Sequence, residues 1–289
     1  MSSLRRRLEE PGIIVAPGAA DALSASLVEQ QGFPAVYLSG AGVSYTLLAK
    51  PDIGLVTQSE MAQRLDSIAR AVGIPVIADG DNGHGNALNV IRTVESFERA
   101  GAAAIQLEDQ AFPKRCGHLA GKRLVPAAEM AGKIRAACAA RTSPGFLVIG
   151  RTDARSVLGM DEALRRAELY LESGADILFV ESPESREELR RVAETFRGVP
   201  LVANMVEGGR TPPVPASELE ELGYSIAIYP NSLIRCYMHA GRVLLEHLRE
   251  NGTTEGMLDS MLLFKGLNRL LGSEEMGRLE DEFVHRETT

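Results

Sequence analysis

The 289-residue chain sets 31 Lys and Arg against 39 Asp and Glu, a formal net charge of −8, which repels a phosphate backbone and excludes nucleic acid as an expected partner. Its 45% hydrophobic and 24% charged residues are globular proportions, and no apolar run is long enough to span a bilayer, so no membrane partner is expected. The 3 cysteines, an odd number, argue against a disulfide framework and for a reducing compartment; with no apolar signal-peptide core in Met1 to Glu10, the expected location is cytoplasmic.

In chain order, Arg5-Arg6-Arg7 beside Glu9 and Glu10 reads as the solvated face of an N-terminal helix. Eight short aliphatic runs follow, at Ile13–Ala16, Ala35–Leu38, Pro75–Ala78, Ala104–Leu107, Phe146–Ile149, Ile177–Val180, Leu201–Ala203 and Ile226–Tyr229. Between them, Ser59–Val72, Ala87–Ala100, Ala127–Ala140, Asp161–Ser173 and Ser185–Phe196 space their apolar residues by three and four, as amphipathic helices do. Gly101, Gly174 and Gly223 stand where a helix needs a left-handed cap before the next strand. Continuous apolar strands alternating with helices predict a parallel sheet covered on both faces. Eight regular units favour closure into a (β/α)8 TIM-type barrel over a doubly wound open sheet. The expected organisation is a single domain over 1–289, with 253–289 as a C-terminal helical extension.

Polar residues follow the second to eighth runs: Ser39, then Asp79 and Asp81, Glu108 and Asp109, Arg151 and Asp153, Glu181, Asn204, and Asn231 with Ser232. In a (β/α)8 barrel these positions converge on one rim, where active sites are built. Any one alone could be a helix cap, but several carboxylates on one rim repel unless a cation is present. Asp79-Gly80-Asp81-Asn82-Gly83-His84-Gly85 places two carboxylates two residues apart in a glycine-rich turn, oxygen ligands that suit Mg²⁺, with Mn²⁺ as the alternative. Ser39-Gly40-Ala41-Gly42 lets backbone N–H groups approach a carboxylate, and Arg151 can grip another bidentately. After the fourth run, Lys114-Arg115-Cys116-Gly117-His118 sets a thiol in a positive field, whereas Cys138 and Cys236 lie in helical patterns and read as small hydrophobes.

Together with Tyr37-Leu38, Lys50-Pro51-Asp52, Gly150-Arg151-Thr152-Asp153 and Ala203-Asn204-Met205, these motifs resemble, in type and order, the isocitrate lyase/phosphoenolpyruvate mutase superfamily and its short methylisocitrate lyase-like members. The resemblance covers nearly the whole chain, and the cysteine loop looks like the signature of the superfamily's carbon–carbon lyases. It implies an oxo-acid lyase that cleaves a 2-hydroxy di- or tricarboxylate. Asp79, Asp81 and Glu108 would hold Mg²⁺ directly or through water, with Asp52 in the outer sphere. Cys116 would be the general acid, with Arg151, His118 and Glu181 beside it. Tyr37, Ser39, Gly40, Ala41, Lys114, Arg115, Gly117 and Asn204 would bind substrate. It also implies a C-terminal helix exchanged between subunits in a dimer of dimers.

Asn82 and His84 depart from the residues usual in methylisocitrate lyases, and Leu119-Ala120-Gly121 lacks an arginine usual after the cysteine loop. Both an alkylated malate and 2-methylisocitrate therefore stay open as substrates. Hydrolysis or decarboxylation of oxaloacetate, and phosphonomutase chemistry, are the rival activities on this scaffold. A metabolite-binding barrel without catalysis is the rival of another class; it would bind oxalate with Mg²⁺ yet turn over no 2-hydroxy acid.

Overall fold

Backbone pairing turns each apolar run into a strand: β1 (Ile14–Ala19), β2 (Val36–Leu38), β3 (Val76–Asp79), β4 (Ala104–Glu108), β5 (Leu147–Thr152), β6 (Ile177–Val180), β7 (Val202–Asn204) and β8 (Ile226–Tyr229). The structure, a computed structural model, describes residues 4–117 and 121–283. All strands pair in parallel in the order β6-β5-β4-β3-β2-β1-β8-β7. The sheet's ends meet where Leu178 of β6 bridges Leu201, just before β7, and the Leu178 N–H donates to the Pro200 carbonyl at 3.0 Å. The sheet thus closes as the (β/α)8 barrel expected, leaving no free edge.

Around it lie α1 (Leu4–Glu9), α2 (Ala22–Gln30), α3 (Gly40–Val43), α4 (Gln58–Ala71), α5 (Ala87–Arg99), α6 (Ala127–Ala140), α7 (Arg155–Leu158), α8 (Met160–Glu172), α9 (Arg186–Thr195) and α10 (Ala216–Leu222). The five helices expected from periodicity fall within one residue of their predicted ends. Their caps explain this. Thr57 and Glu60 form a capping box before α4, the Asn86 and Asn89 side chains do so before α5, and Ser185 caps α9. Gly101, Gly174 and Gly223 adopt φ of 95°, 103° and 107°, the left-handed geometry the pattern called for.

Two apolar layers form. Leu38, Leu65, Ile68, Phe97, Ile105, Leu107, Ile134 and Leu178 pack between sheet and helices. Ile14, Ile77, Leu147, Ile149, Ile177, Phe179, Val202 and Ile228 fill the barrel itself, with Leu4 of α1 in the same cluster. The strands run past their apolar residues at the C-terminal end, because ladder hydrogen bonds are made by backbone whatever the side chain. Asp79, Glu108, Arg151 and Asn204 are therefore strand residues, not residues that follow strands, and Glu108 stands opposite Arg151 in the β4–β5 register.

The chain separates into two compact units, with the division between Leu233 and Ile234. The second takes in most of α11 (Ser232–Asn251), so it begins well before residue 253. It continues through α12 (Phe264–Leu270) and α13 (Ser273–Phe283), and none of the described residues of these three helices is buried.

Candidate active site

Strand side chains alternate, so the residue two positions beyond an interior apolar one faces the same way. That step carries Ile77 to Asp79, Gln106 to Glu108, Ile149 to Arg151, Phe179 to Glu181, Val202 to Asn204 and Tyr37 to Ser39. The interior face of the barrel thereby changes from apolar to charged at its C-terminal mouth.

Asp79 is oriented by three donors: the Asp81 N–H at 3.1 Å and Gln106 Nε2 at 3.2 Å on Oδ1, and the Gly40 N–H at 3.1 Å on Oδ2. A Cβ at Gly40 would stand 3.0 Å from Asp79 Oδ2 and 3.1 Å from Asp81 Oδ1, which accounts for the glycine. Below, the Tyr37 hydroxyl donates to Gln106 Oε1 at 2.8 Å; burial, then the Asp79 charge, keeps that phenol protonated far above its usual range. Lys114 Nζ lies 2.6 Å from Asp52 and 2.7 Å from Asp81. Burial disfavours its charge, yet Asp81 and Asp52 raise its pKa well above the ordinary lysine value. Burial is also the main reason that Asp81 is pushed up to about 7, with Asp79 and Asp52 adding and Lys114 opposing. Glu108 rises well above the carboxylate range by burial, against the pull of Arg151.

Arg151 lies 4.9 Å above the Phe179 ring and spreads its charge over protein carboxylates: Nε is 3.3 Å from Glu108, and Nη1 is 3.6 Å from Glu181. It also donates bidentately to Asp153, at 3.0 and 3.2 Å. Asn204 Nδ2 donates to both Glu181 oxygens, at 3.3 and 3.2 Å. The loop after β2 folds at once into α3, where Ser39 Oγ accepts from the Gly42 N–H at 3.3 Å and the Gly40 N–H donates to Asp79.

The cysteine segment belongs to an excursion after β4. Its base is pinned by the Gln110–Leu124 bridge, by Ala111 N–H to the Arg123 carbonyl at 2.8 Å and by Val125 N–H to the Asp109 carbonyl at 2.9 Å. Gln110 holds the backbone of Arg115 on both sides, at 2.8 and 2.9 Å, while the Arg115 side chain is exposed rather than turned into the mouth. The Cys116 N–H donates to the Asp52 carbonyl at 3.2 Å. Gly117 is pressed so close that a Cβ there would stand 2.4 Å from Arg151 Nη2. His118 lies outside the described residues.

Two roles were not read from the sequence. Asp109, expected on the rim, alternates outward and is buried behind the wall. It accepts from Thr152 at 2.7 Å, the Asp153 N–H at 2.8 Å, Tyr170 at 2.8 Å and Arg166 at 3.0 Å. The signal was there: Arg166 and Tyr170 interrupt the inward face of α8 four residues apart. Lys122 is the second, with Nζ 2.8 Å from Asp153.

Among the described residues no three His, Cys, Asp or Glu side chains gather as a ready-made metal-ligand set. The residues do fit a hydrated divalent ion, which takes one or two carboxylates and completes its sphere with water. Glu108 Oε1 is buried without a partner. Around it the buried carboxylates of Asp52, Asp79, Asp81, Asp153 and Glu181 outnumber the buried cations Lys114, Lys122 and Arg151.

Residues 4–249 match the phosphoenolpyruvate phosphomutase family. The chain is 48% identical over 283 residues to 2,3-dimethylmalate lyase of Eubacterium barkeri, covering 98% of each. It is 44% identical over 279 residues to 2-methylisocitrate lyase of Aeropyrum pernix, covering 96% of this chain and 89% of that one. A solved oxaloacetate acetylhydrolase in complex with the inhibitor 3,3-difluorooxalacetate superposes with a TM-score of 0.93 at 33% identity, covering 99% of this chain and 97% of that one.

Proposed function

The chain belongs to the phosphoenolpyruvate phosphomutase family, and we propose that it is one of the carbon–carbon lyases within it. It splits a 2-hydroxy di- or tricarboxylate, of the alkylmalate or 2-methylisocitrate type, into pyruvate or a related 2-oxo acid and a second carboxylate. The observation that carries this reading is the seat of Cys116. The chain on both sides of it enters the charged mouth, Lys114 onto Asp52 and Asp81, and Gly117 against Arg151, which supports a place for the thiol beside the substrate.

A divalent ion, Mg²⁺ with Mn²⁺ as a substitute, held by Asp79, Asp81 and Glu108 with Asp52 beyond them, would supply Lewis acidity toward the substrate's 2-hydroxyl and adjoining carboxylate. Ser39, Gly40 and Ala41, with Tyr37 beneath, receive that carboxylate. Arg151, Glu181 and Asn204 line the opposite wall, with Lys114 and Gly117 at the mouth, and Arg115 and His118 complete the set of residues proposed to act on substrate. As the hydroxyl proton passes to one of the buried carboxylates of the mouth, the C2–C3 bond breaks and its electron pair passes to the departing carboxylate fragment. Arg151 and Lys114 stabilise that developing charge from fixed positions. Cys116 then delivers a proton to the carbon that lost its bond.

The protein also assembles as a homo-oligomer, a dimer of dimers, in this reading. The second unit exposes Tyr237 by 72%, Phe264 by 80% and Phe283 by 70%, apolar side chains that a second copy of the chain would cover. A coupled pyruvate-release assay with Mg²⁺, offering 2-methylisocitrate, 2,3-dimethylmalate, citramalate and oxaloacetate in parallel, tests the activity. Pyruvate from one of the first three, abolished by EDTA, is the expected result. Acetate and oxalate from oxaloacetate alone would replace the lyase by a hydrolase.

A further inference from the structure

Lys122 stands on the returning arm of the cysteine excursion, next to the Ala111–Arg123 pairing that pins its base. Its side chain turns back into the barrel mouth and is only 2% exposed. There the ammonium donates to two acceptors on different parts of the wall. One is the Gly117 carbonyl, adjoining Cys116; the other is Asp153 Oδ1 at 2.8 Å, just beyond β5. Asp153 is also the carboxylate that grips Arg151 at 3.0 and 3.2 Å. A single buried cation therefore ties the backbone of the thiol segment to the anchor of Arg151.

At or before Cys116 that segment is anchored by Gln110 on Arg115, Lys114 on Asp52 and Asp81, and the Asp52 carbonyl on the Cys116 N–H. After it, the Gly117 carbonyl is held by Lys122 and, at 3.3 Å, by the Ser182 hydroxyl. A buried ammonium is a costly way to fill space that a methionine would occupy, and is retained where its charge has a use. Against the effect of burial, Arg151 and Lys122 hold the Asp153 carboxyl well below the usual range, so the partner of the ammonium stays an anion throughout the working pH range.

We propose that Lys122 is a positioning residue for the lyase reaction: by clamping the Gly117 carbonyl to Asp153, it holds Cys116 at the mouth and makes that placement depend on Arg151 being in its own. The proposal rests on Cys116 being the general acid. Lys122→Met keeps the volume and removes the charge, and Lys122→Arg keeps the charge. Two readouts separate positioning from mere packing. One is the kcat-against-KM split for pyruvate release with Mg²⁺. The other is the rate at which iodoacetamide alkylates Cys116 in the resting enzyme, read on its own peptide by mass spectrometry so that Cys138 and Cys236 do not contribute.

Lys122→Met should lower kcat by about 100-fold with KM within about threefold, and should speed Cys116 alkylation by about fivefold or more. Lys122→Arg should recover about a tenth or more of the lost kcat. Near-normal kcat with unchanged alkylation, or a loss confined to KM, would overturn the proposal. If Lys122→Met does not fold, Asp153→Asn breaks the same pair from its other end; unchanged Cys116 alkylation in that variant would also overturn it. Alkylation is read without substrate, so a wild-type enzyme that releases pyruvate from none of the acids removes the lyase reading and still leaves the clamp tested.

Discussion

At the base of the barrel, where the strands begin, Asp176 accepts from Arg5 at 2.9 Å on one oxygen, and from Arg141 and the Val148 N–H on the other. At the opposite mouth Glu108, 2% exposed, leaves Oε1 without a partner, and Asp81 shares Lys114 with Asp52. The base spends its charges on one another, and Leu4 is buried there completely. Carboxylates crowd the mouth beyond what its cations neutralise, a local conflict that a fold tolerates where chemistry needs it. In this fold class, polar residues at the start of the strands serve stability and those turned into the C-terminal mouth build the site.

The comparison breaks most visibly if Glu108→Gln behaves like a stability mutation. Turnover should fall by about 1,000-fold or more, while the melting temperature holds or rises as a neutral amide relieves the crowding. Pyruvate release and calorimetry read the two effects; a lower melting temperature with activity kept would contradict the assignment. Asp176→Ala should do the reverse, costing roughly 2–3 kcal/mol in urea unfolding because two arginines lose their partner, with kcat of the folded protein unchanged.

A third expectation concerns pH. Asp81 titrates at about 7 in the fold and near 3.8 when unfolded, so the folded state binds the extra proton between those values. Its contribution favours the fold below about pH 4 and is lost as pH rises through about 7, with a slope of at most about 1.4 kcal/mol per pH unit. A divalent ion held by Asp81 would compete with that proton, so the gain in melting temperature on adding Mg²⁺ should be larger at pH 8 than at pH 6, and Asp81→Asn should flatten the difference. The smallest effect belongs to the outer layer. Arg186 and Glu218 pair at 2.8 Å with side chains 44% and 35% exposed, and Arg186→Ala should change stability by less than about 0.5 kcal/mol.

The barrel was legible because its strands, covered on both faces, read as unbroken apolar runs, and because cap residues marked the helices on either side. Strand ends were not legible where Gly150, Arg151 and Thr152 carry on the ladder under polar side chains. Period-two alternation separates Glu108 from Asp109, sending one into the mouth and the other behind the wall, yet the pair looks alike in a list of strand-end acids. Arg115 and Arg151 show the same limit. Their charge was plain, but whether each would meet substrate, solvent or Asp153 depended on neighbours brought in from other strands. Lys122 was hidden most deeply, since its carboxylate partner Asp153 comes from another strand end, 31 residues on.

The central claim is that Cys116 supplies the proton that completes the cleavage. Its most direct test is Cys116→Ser in the pyruvate-release assay, with Mg²⁺ binding followed in parallel through the melting temperature. The account predicts turnover lowered by about 100-fold or more with the Mg²⁺-dependent gain intact. Near-normal turnover would contradict it.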